Sequence, residues 1–390
     1  MRTRRTCVRR FALGLRAAKG LGLAARLLAA GALLLAAGAL LLASGARAGE
    51  PPVVNVYNWA DYIGRDTLAA FEKETGIRVN YDTYESSEIV EAKLLTGATG
   101  YDVVVHGGQY SARLIPIGVF RALDKSRLSS WQYLDPAVLR ILEHYDPGNV
   151  YAAPYMWGST GFAYDADLVK ARIPDAPVES GAMLFDPAVL AKLADCGVSF
   201  LDSPTDVIPM ALVYLGHDAN STDPEQLLAA EKLLAAVRPY VKYFSSTRLL
   251  NDLPNHEVCV AMSWSGEYAL ARERAAEAGV EVNLAYSVPR EGSVFWFDGI
   301  FIPADAPHPE NAHRFIDFLL RPKVIAAITN ETRYANAVPA SRPFLLPEIF
   351  ADPAIYPTPE IVKLLQLTHT LPPKTERLRT RAFARVKAGL

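Results

Sequence analysis

Between residues 53 and 108 the chain alternates strand and helix patterns, and this alternation narrows the possible folds more than any other feature. Residues 53–59, VVNVYNW, are β-branched and apolar and read as a strand. A helix pattern follows, with Leu68, Phe71 and Thr75 on one face and Gly76 to end it. Residues 77–84 read as a second strand. Ser86 or Ser87 then caps a helix running through Ile89, Ala92 and Leu95 to Gly97. A third strand, 101–105, ends in His106-Gly107-Gly108. This spacing predicts right-handed βαβ units and a parallel sheet, hence an α/β fold. In such sheets ligands collect beyond the carboxyl ends of the strands. Trp59-Ala60-Asp61-Tyr62 and His106-Gly107-Gly108 both fall there and are expected to face one crevice.

What precedes the first strand has the pattern of a targeting segment, 1–48. A basic stretch carries Arg2, Arg4, Arg5, Arg9 and Arg10, an apolar run covers 27–43, and Ala46-Arg47-Ala48 fits a signal-peptidase site. A retained membrane anchor is the competing reading of the apolar run, and the Ala-x-Ala ending favours cleavage and export. Nine of the 40 basic residues and none of the 42 acidic ones lie in this segment. The remainder therefore has 31 basic against 42 acidic residues, a net charge of −11. That balance repels nucleic acid and anionic membrane and mildly favours cationic ligands. The remaining length suits two ordinary domains. Only Cys196 and Cys259 survive cleavage; an isolated pair in an exported chain reads as a disulfide, two buried free thiols being the alternative.

From about Pro154 the texture changes. The run Tyr155-Met156-Trp157-Gly158-Ser159-Thr160-Gly161-Phe162 is aromatic and broken by glycine, as expected of a segment crossing between domains. Residues 165–275 are mostly helical in pattern, with Asp223 placed to cap a helix over 224–237. Short apolar strands at 198–201 and 258–262 each lie at one of the cysteines. Strand character returns at 284–288 and 299–302. A helix over 309–320 follows, with Ala312, Phe315, Ile316 and Leu319 on one face. The basic tail, 374–390, reads as a solvated helix face.

Three aromatic-acid clusters stand out: Trp59-Ala60-Asp61-Tyr62, Trp264-Ser265-Gly266-Glu267 and Phe295-Trp296-Phe297-Asp298, with Tyr334 as a further ring. Ring faces attract an ammonium and its alkyl stem, and carboxylates supply the counter-charge, so separated clusters of one type predict one cation site assembled by folding. Taken singly, each is more often part of a core; it is the three together that favour a site. Two other chemistries compete. His106-Gly107-Gly108-Gln109 is similar to an esterase oxyanion loop, and Ser263-Trp264-Ser265-Gly266 is half a nucleophile elbow, which together would make a secreted serine hydrolase. Ser263 and Glu267, however, stand where the elbow needs glycines. Of the seven histidines, only His308 and His313 are close in sequence, at a spacing that shares a helix face poorly, so no metal site or cofactor is expected.

Beyond these readings, Tyr57-Asn58-Trp59-Ala60-Asp61-Tyr62-Ile63, Phe71-Glu72-Lys73-Glu74-Thr75-Gly76-Ile77, Cys196-Gly197-Val198-Ser199-Phe200-Leu201-Asp202 and Tyr334-Ala335-Asn336-Ala337 resemble the periplasmic polyamine-binding proteins of ABC importers. The resemblance covers essentially the whole chain after residue 48. It implies a two-lobed type II periplasmic binding protein with a ligand cleft between the lobes and no enzymatic activity. It also implies an N-terminal lobe of 49–155 and 276–330 and a C-terminal lobe of 156–275 and 331–390. The implied ligand is putrescine or spermidine, the implied partner an inner-membrane ABC permease, and the implied state a monomer. Carried over motif by motif, the binding residues are Trp59, Asp61, Tyr62, Asp206, Trp264, Glu267, Trp296, Asp298 and Tyr334. Asp61, Asp206, Glu267 and Asp298 would hold the ammonium groups, while Trp59, Trp264, Trp296 and Tyr334 would line the methylene chain. Ala60, Gly107, Glu267 and Trp296 depart from the putrescine binders, and the first two open space, so a chain longer than putrescine is expected to fit.

Overall fold

Eleven strands carry the architecture of the computed structural model, which describes residues 50–390; the expected targeting segment, 1–48, lies outside the described residues. They are β1 (Val53–Trp59), β2 (Arg78–Tyr84), β3 (Val103–Gly107), β4 (Ala152–Asp165), β5 (Val198–Phe200), β6 (Val241–Phe244), β7 (Val260–Trp264), β8 (Leu284–Ser287), β9 (Ser293–Phe301), β10 (Ala335–Asn336) and β11 (Leu365–Leu367). The pairing order is β2-β1-β3-β9-β4-β7-β5-β6, with β10 and β8 added to β4 and β11 added to β9. As the alternation predicts, β1 pairs in parallel with both β2 and β3. Helices cover both faces of this sheet. Val103 and Val105 join one core with Val54, Phe71, Phe315 and Ile316, while Val104 points the other way to Tyr57, Val90 and Leu94. Burial on both faces is why β3 reads as a continuous apolar run.

The segment expected to cross between domains near Pro154 does so as a strand. β4 runs for 14 residues; its first half pairs with β9 and its second half with β7 and β8, so one strand belongs to both lobes. The second lobe has its own core, with Phe162, Met183, Phe185, Leu190, Phe200, Leu212 and Met262 fully buried around the parallel strands β5, β6 and β7. Cys196 and Cys259 precede the neighbouring strands β5 and β7 and form the expected disulfide, with Cα atoms 5.5 Å apart.

Several local expectations change on folding. In the helix Ser87–Thr96, capped by Ser86, Val90 and Leu94 are buried while Ile89 and Leu95 are 53% and 55% exposed. The expected stripe is therefore rotated by one residue, because the packing surface is set by the approach of β3. Strand β6 and the helix Pro322–Thr332 were not expected. The tail is no solvated face: the helix Pro373–Ala388 buries Ala382, Phe383 and Val386 in the second core. Its Arg379 donates to the carbonyls of Ala219 and Ser221 at 2.8 and 2.9 Å. Tyr334, Ala337 and Val338 pack in the first core with the helices Pro309–Leu319 and Pro322–Thr332, although they lie beyond the expected lobe boundary at 331.

Candidate ligand-binding cleft

Register explains how distant residues meet. β9 runs antiparallel to β3 with Asp298 opposite Gly107, and antiparallel to β4 with Trp296 opposite Gly158. Two residues further along β4, Thr160 lies opposite Trp264. Positions two apart in a strand share a face, so the crossing strand brings Trp296 from one lobe and Trp264 from the other to the same side. β1 ends at Trp59, and the turn beyond it places Asp61 in the left-handed region at φ 53°, which Asp tolerates better than most residues. Tyr334 immediately precedes β10, and Glu267 sits in the first turn of the helix Ser265–Glu277 that follows β7. Asp206 sits in the first turn of the helix Pro204–Tyr214.

These residues enclose one cavity of about 450 Å³, a size suited to a small organic ligand. Trp59, Asp61, Tyr62, Asp206, Trp264, Glu267, Trp296, Asp298 and Tyr334 all line it. Aromatic edges and faces build the wall. Tyr334 makes edge contacts with Tyr62 and Trp296 at 5.3 and 5.4 Å between ring centres, and Trp59 leans on Tyr84 at 4.4 Å. Two glycines make this wall possible. A Cβ at Gly266 would lie 2.5 Å from the Tyr334 ring, and one at Gly158 would lie 2.8 Å from the Trp296 indole.

The four acids differ sharply in environment. Asp298 is 7% exposed, and burial pushes its carboxyl up to about 7. The nearby Tyr62 hydroxyl draws it back only in part, since it does not form a full hydrogen bond. Glu267 is held well above the usual carboxylate range, first by burial and then by the charge of Asp206, and its Oε2 has no hydrogen-bond partner. Among the described residues neither acid forms an ion pair. Asp206 is also buried and raised, but it accepts hydrogen bonds from Thr160 Oγ1 (2.6 Å), Ser203 Oγ (2.6 Å) and Trp264 Nε1 (3.1 Å). Asp61 is at the mouth, its side chain 62% exposed and paired with Arg274 at 3.2 Å. The indole nitrogens of Trp59 and Trp296 are buried and without partners.

The cavity also has walls that sequence reasoning missed. Ser86, Ser87, Gln109, Tyr110, Ser203, Thr205, Arg274 and, after β6, Ser246 to Arg248 with Leu250 and Asn251 line it. Most come from loops or helix starts with no aromatic signal. Tyr84, at the carboxyl end of β2, could have been found by the strand-end rule that selected Trp59. Arg248 is the one further cation beside Arg274 on this lining; it pairs with Asp252 at 3.0 Å and stacks on Tyr243 at 4.0 Å.

The hydrolase constellation does not assemble. His106 Nδ1 lies 3.0 Å from Ser111 Oγ with both residues buried, and burial followed by Arg113 lowers the imidazole to about 3. Ser263 is fully buried and donates to the Trp264 carbonyl at 2.8 Å. Among the described residues no group of three or more His, Cys, Asp or Glu could hold a metal ion, and no helix is long and apolar enough to cross a membrane.

The chain is similar to known proteins over nearly all of its described length. The bacterial extracellular solute-binding protein family matches residues 66–358. The putrescine-binding periplasmic protein SpuD of Pseudomonas aeruginosa is 46% identical over 88% of this chain and 94% of its own length. PotF of Escherichia coli, also a putrescine-binding periplasmic protein, is 44% identical over 88% of this chain and 93% of its own. The solved spermidine/putrescine ABC transporter substrate-binding protein PotD of Streptococcus pneumoniae superposes with a TM-score of 0.71 at 27% identity, covering 86% of this chain and 99% of that one. With a two-lobed α/β fold, a cleft between the lobes and relatives this similar over nearly its full described length, the chain belongs to the bacterial extracellular solute-binding proteins.

Proposed function

We propose that this protein is the periplasmic receptor of an ABC importer for a linear polyamine, putrescine or spermidine. The observation that carries the reading is the pair of buried carboxylates, Asp298 and Glu267, that face an aromatic-walled cavity and form no ion pair among the described residues, the nearest cation, Arg274, being paired with Asp61. A buried unpaired charge is costly, and a ligand bearing two ammonium groups on an apolar stem removes that cost at both sites at once. Asp298 and Glu267 take the ammonium ends by charge-assisted hydrogen bonds. Trp59, Trp264, Trp296 and Tyr334 line the methylene chain, each desolvated ring–cation contact contributing up to about 2 kcal/mol. Asp61 and Arg274 close the mouth; as an exposed pair they contribute at most about 1 kcal/mol. The acidic balance of residues 49–390 favours a cationic ligand and disfavours nucleic acid.

The relatives' names support both the ligand class and the compartment, and the segment 1–48 supports export. The partner is an inner-membrane permease, to which a monomer presents the rims of its closed cleft. We infer two lobes that follow the expected division, 49–155 with 276–330 and 156–275 with 331–390, except at two edges. The crossing of β4 and the seating of the last helix in the second core support it, while the pairing of β8 with the second half of β4 and the packing of Tyr334 and Val338 in the first core argue that the later crossovers lie after β8 and after residue 338. Ala60 leaves room on one wall, while the space beside Gly107 is taken by the Tyr110 ring and Asp298; spermidine is still expected to bind at least as well as putrescine. A thermal-shift screen of the mature protein against putrescine, cadaverine, agmatine and spermidine, followed by calorimetry, tests the reading. Stabilisation by none of them would remove the polyamine assignment.

A further inference from the structure

A chain of hydroxyl groups runs across the cleft and ends on an acid that holds a tryptophan. Tyr110 belongs to the helix Gly108–Leu114, which follows β3 in the first lobe. Its Oη lies 2.7 Å from Thr205 Oγ1, on the opposite lobe. Thr205 Oγ1 lies 3.0 Å from Ser203 Oγ, which is 2.6 Å from Asp206 Oδ2. The other oxygen, Oδ1, accepts from Thr160 Oγ1 at 2.6 Å and from Trp264 Nε1 at 3.1 Å. With Asp206 ionised its oxygens only accept, and the direction of the whole chain then follows from that end. Ser203 must donate to Asp206, Thr205 must donate to Ser203, and Tyr110 must donate to Thr205.

Resting on the polyamine reading, we propose that Tyr110, Thr205, Ser203 and Asp206 form a directional latch that holds the cleft shut and sets the Trp264 indole against the ligand. Asp206 is then a positioning residue, not an ammonium ligand, because both its oxygens already serve protein donors. This divides the acids of the cleft: Glu267 and Asp298 meet the ligand, while Asp206 acts through Trp264. Gly107 belongs to the same device. A Cβ there would stand 3.2 Å from the Tyr110 ring and 3.5 Å from Asp298 Oδ1, so the glycine gives Tyr110 the room from which it reaches across. Hydrogen bonds in such a chain polarise one another, so loss of one link weakens the rest.

The latch bond between lobes exists only when the lobes meet, so its loss should act on ligand release and not on encounter. Tyr110→Phe and Thr205→Val each remove one hydroxyl and keep the shape. Stopped-flow tryptophan fluorescence with putrescine and with spermidine should show dissociation about tenfold faster for each, association within about twofold, and a double variant no worse than either single. Asp206→Asn, which sets an amide N–H against one of three donors, should also shift the tryptophan emission of the bound state. Unchanged dissociation in both single variants, or strictly additive effects in the double, would overturn the latch while leaving the receptor assignment intact. A parent protein that binds neither polyamine would overturn the receptor assignment and the latch with it.

Discussion

At the scale of single residues, Asp298 concentrates the energetics of the cleft. Its pKa rises from 3.8 to about 7 in the native protein, so the native state holds a proton that the unfolded chain has lost between those values. Stability of the ligand-free protein therefore falls as pH rises through that window, by about 4 kcal/mol in total if the shift is taken whole. Asp298→Asn should raise the melting temperature of the ligand-free protein above pH 7 and have little effect near pH 4; calorimetric scans at the two pH values check this. The same substitution should weaken putrescine binding by at least about 2 kcal/mol, since one ammonium is left buried and unpaired. Binding requires the ionised carboxylate, so affinity should drop as pH falls below about 7, with proton release seen in titrations run in buffers of different ionisation enthalpy. Selectivity rests on smaller changes. Trp296→Phe with Gly107→Ser should move the preference towards putrescine over spermidine by roughly 1 to 2 kcal/mol, the worth of a polar contact. A double variant with the parent's ratio would mean that these positions do not set chain length.

Among the elements, the second lobe depends on a covalent tie between adjacent strands. Cys196 and Cys259 close a loop of 63 residues beside β5 and β7, worth up to about 4 kcal/mol in the chain-entropy account. Replacing both with serine should lower denaturant stability by about 2 to 4 kcal/mol and leave polyamine affinity nearly unchanged where the protein is folded, because neither sulfur borders the cavity. Intact mass with and without reductant shows whether the bridge forms in the exported protein. Alkylation of two thiols in the non-reduced sample would count against it. The crossing strand β4 is the other element that matters here, because it alone sets Trp157 and Gly158 against β9 and Thr160 to Tyr164 against β7.

For the whole molecule, the cleft is completed only when the two lobes meet. Trp59, Trp296 and Asp298 come from one side, Asp206 and Glu267 from the other, and Trp264 packs against both cores. Ligand binding should therefore close a hinge, and small-angle scattering should record a smaller radius of gyration at saturating putrescine. An unchanged radius would argue that the lobes are already locked in solution.

The sequence by itself determined the local chemistry and the order of elements. Short β-branched and apolar runs marked β1, β2 and β3, and Gly76 and Asp223 marked a helix end and a helix start, because these signals act over a few residues. All nine candidate cleft residues were legible for a related reason: aromatic-acid clusters at strand ends, together with the family resemblance, are readable without a fold. Only the tertiary structure decided the surroundings of each acid. Nothing local distinguishes Asp206, tied by Thr160, Ser203 and Trp264, from Asp298, left with a partial interaction from Tyr62. Nor could local pattern show that Val90 and Leu94, not Ile89 and Leu95, face the core, or that Tyr110 reaches Thr205 some 95 residues away. Burial and hydrogen-bond pairing are set by neighbours distant in the chain, and they belong to the packed lobes alone.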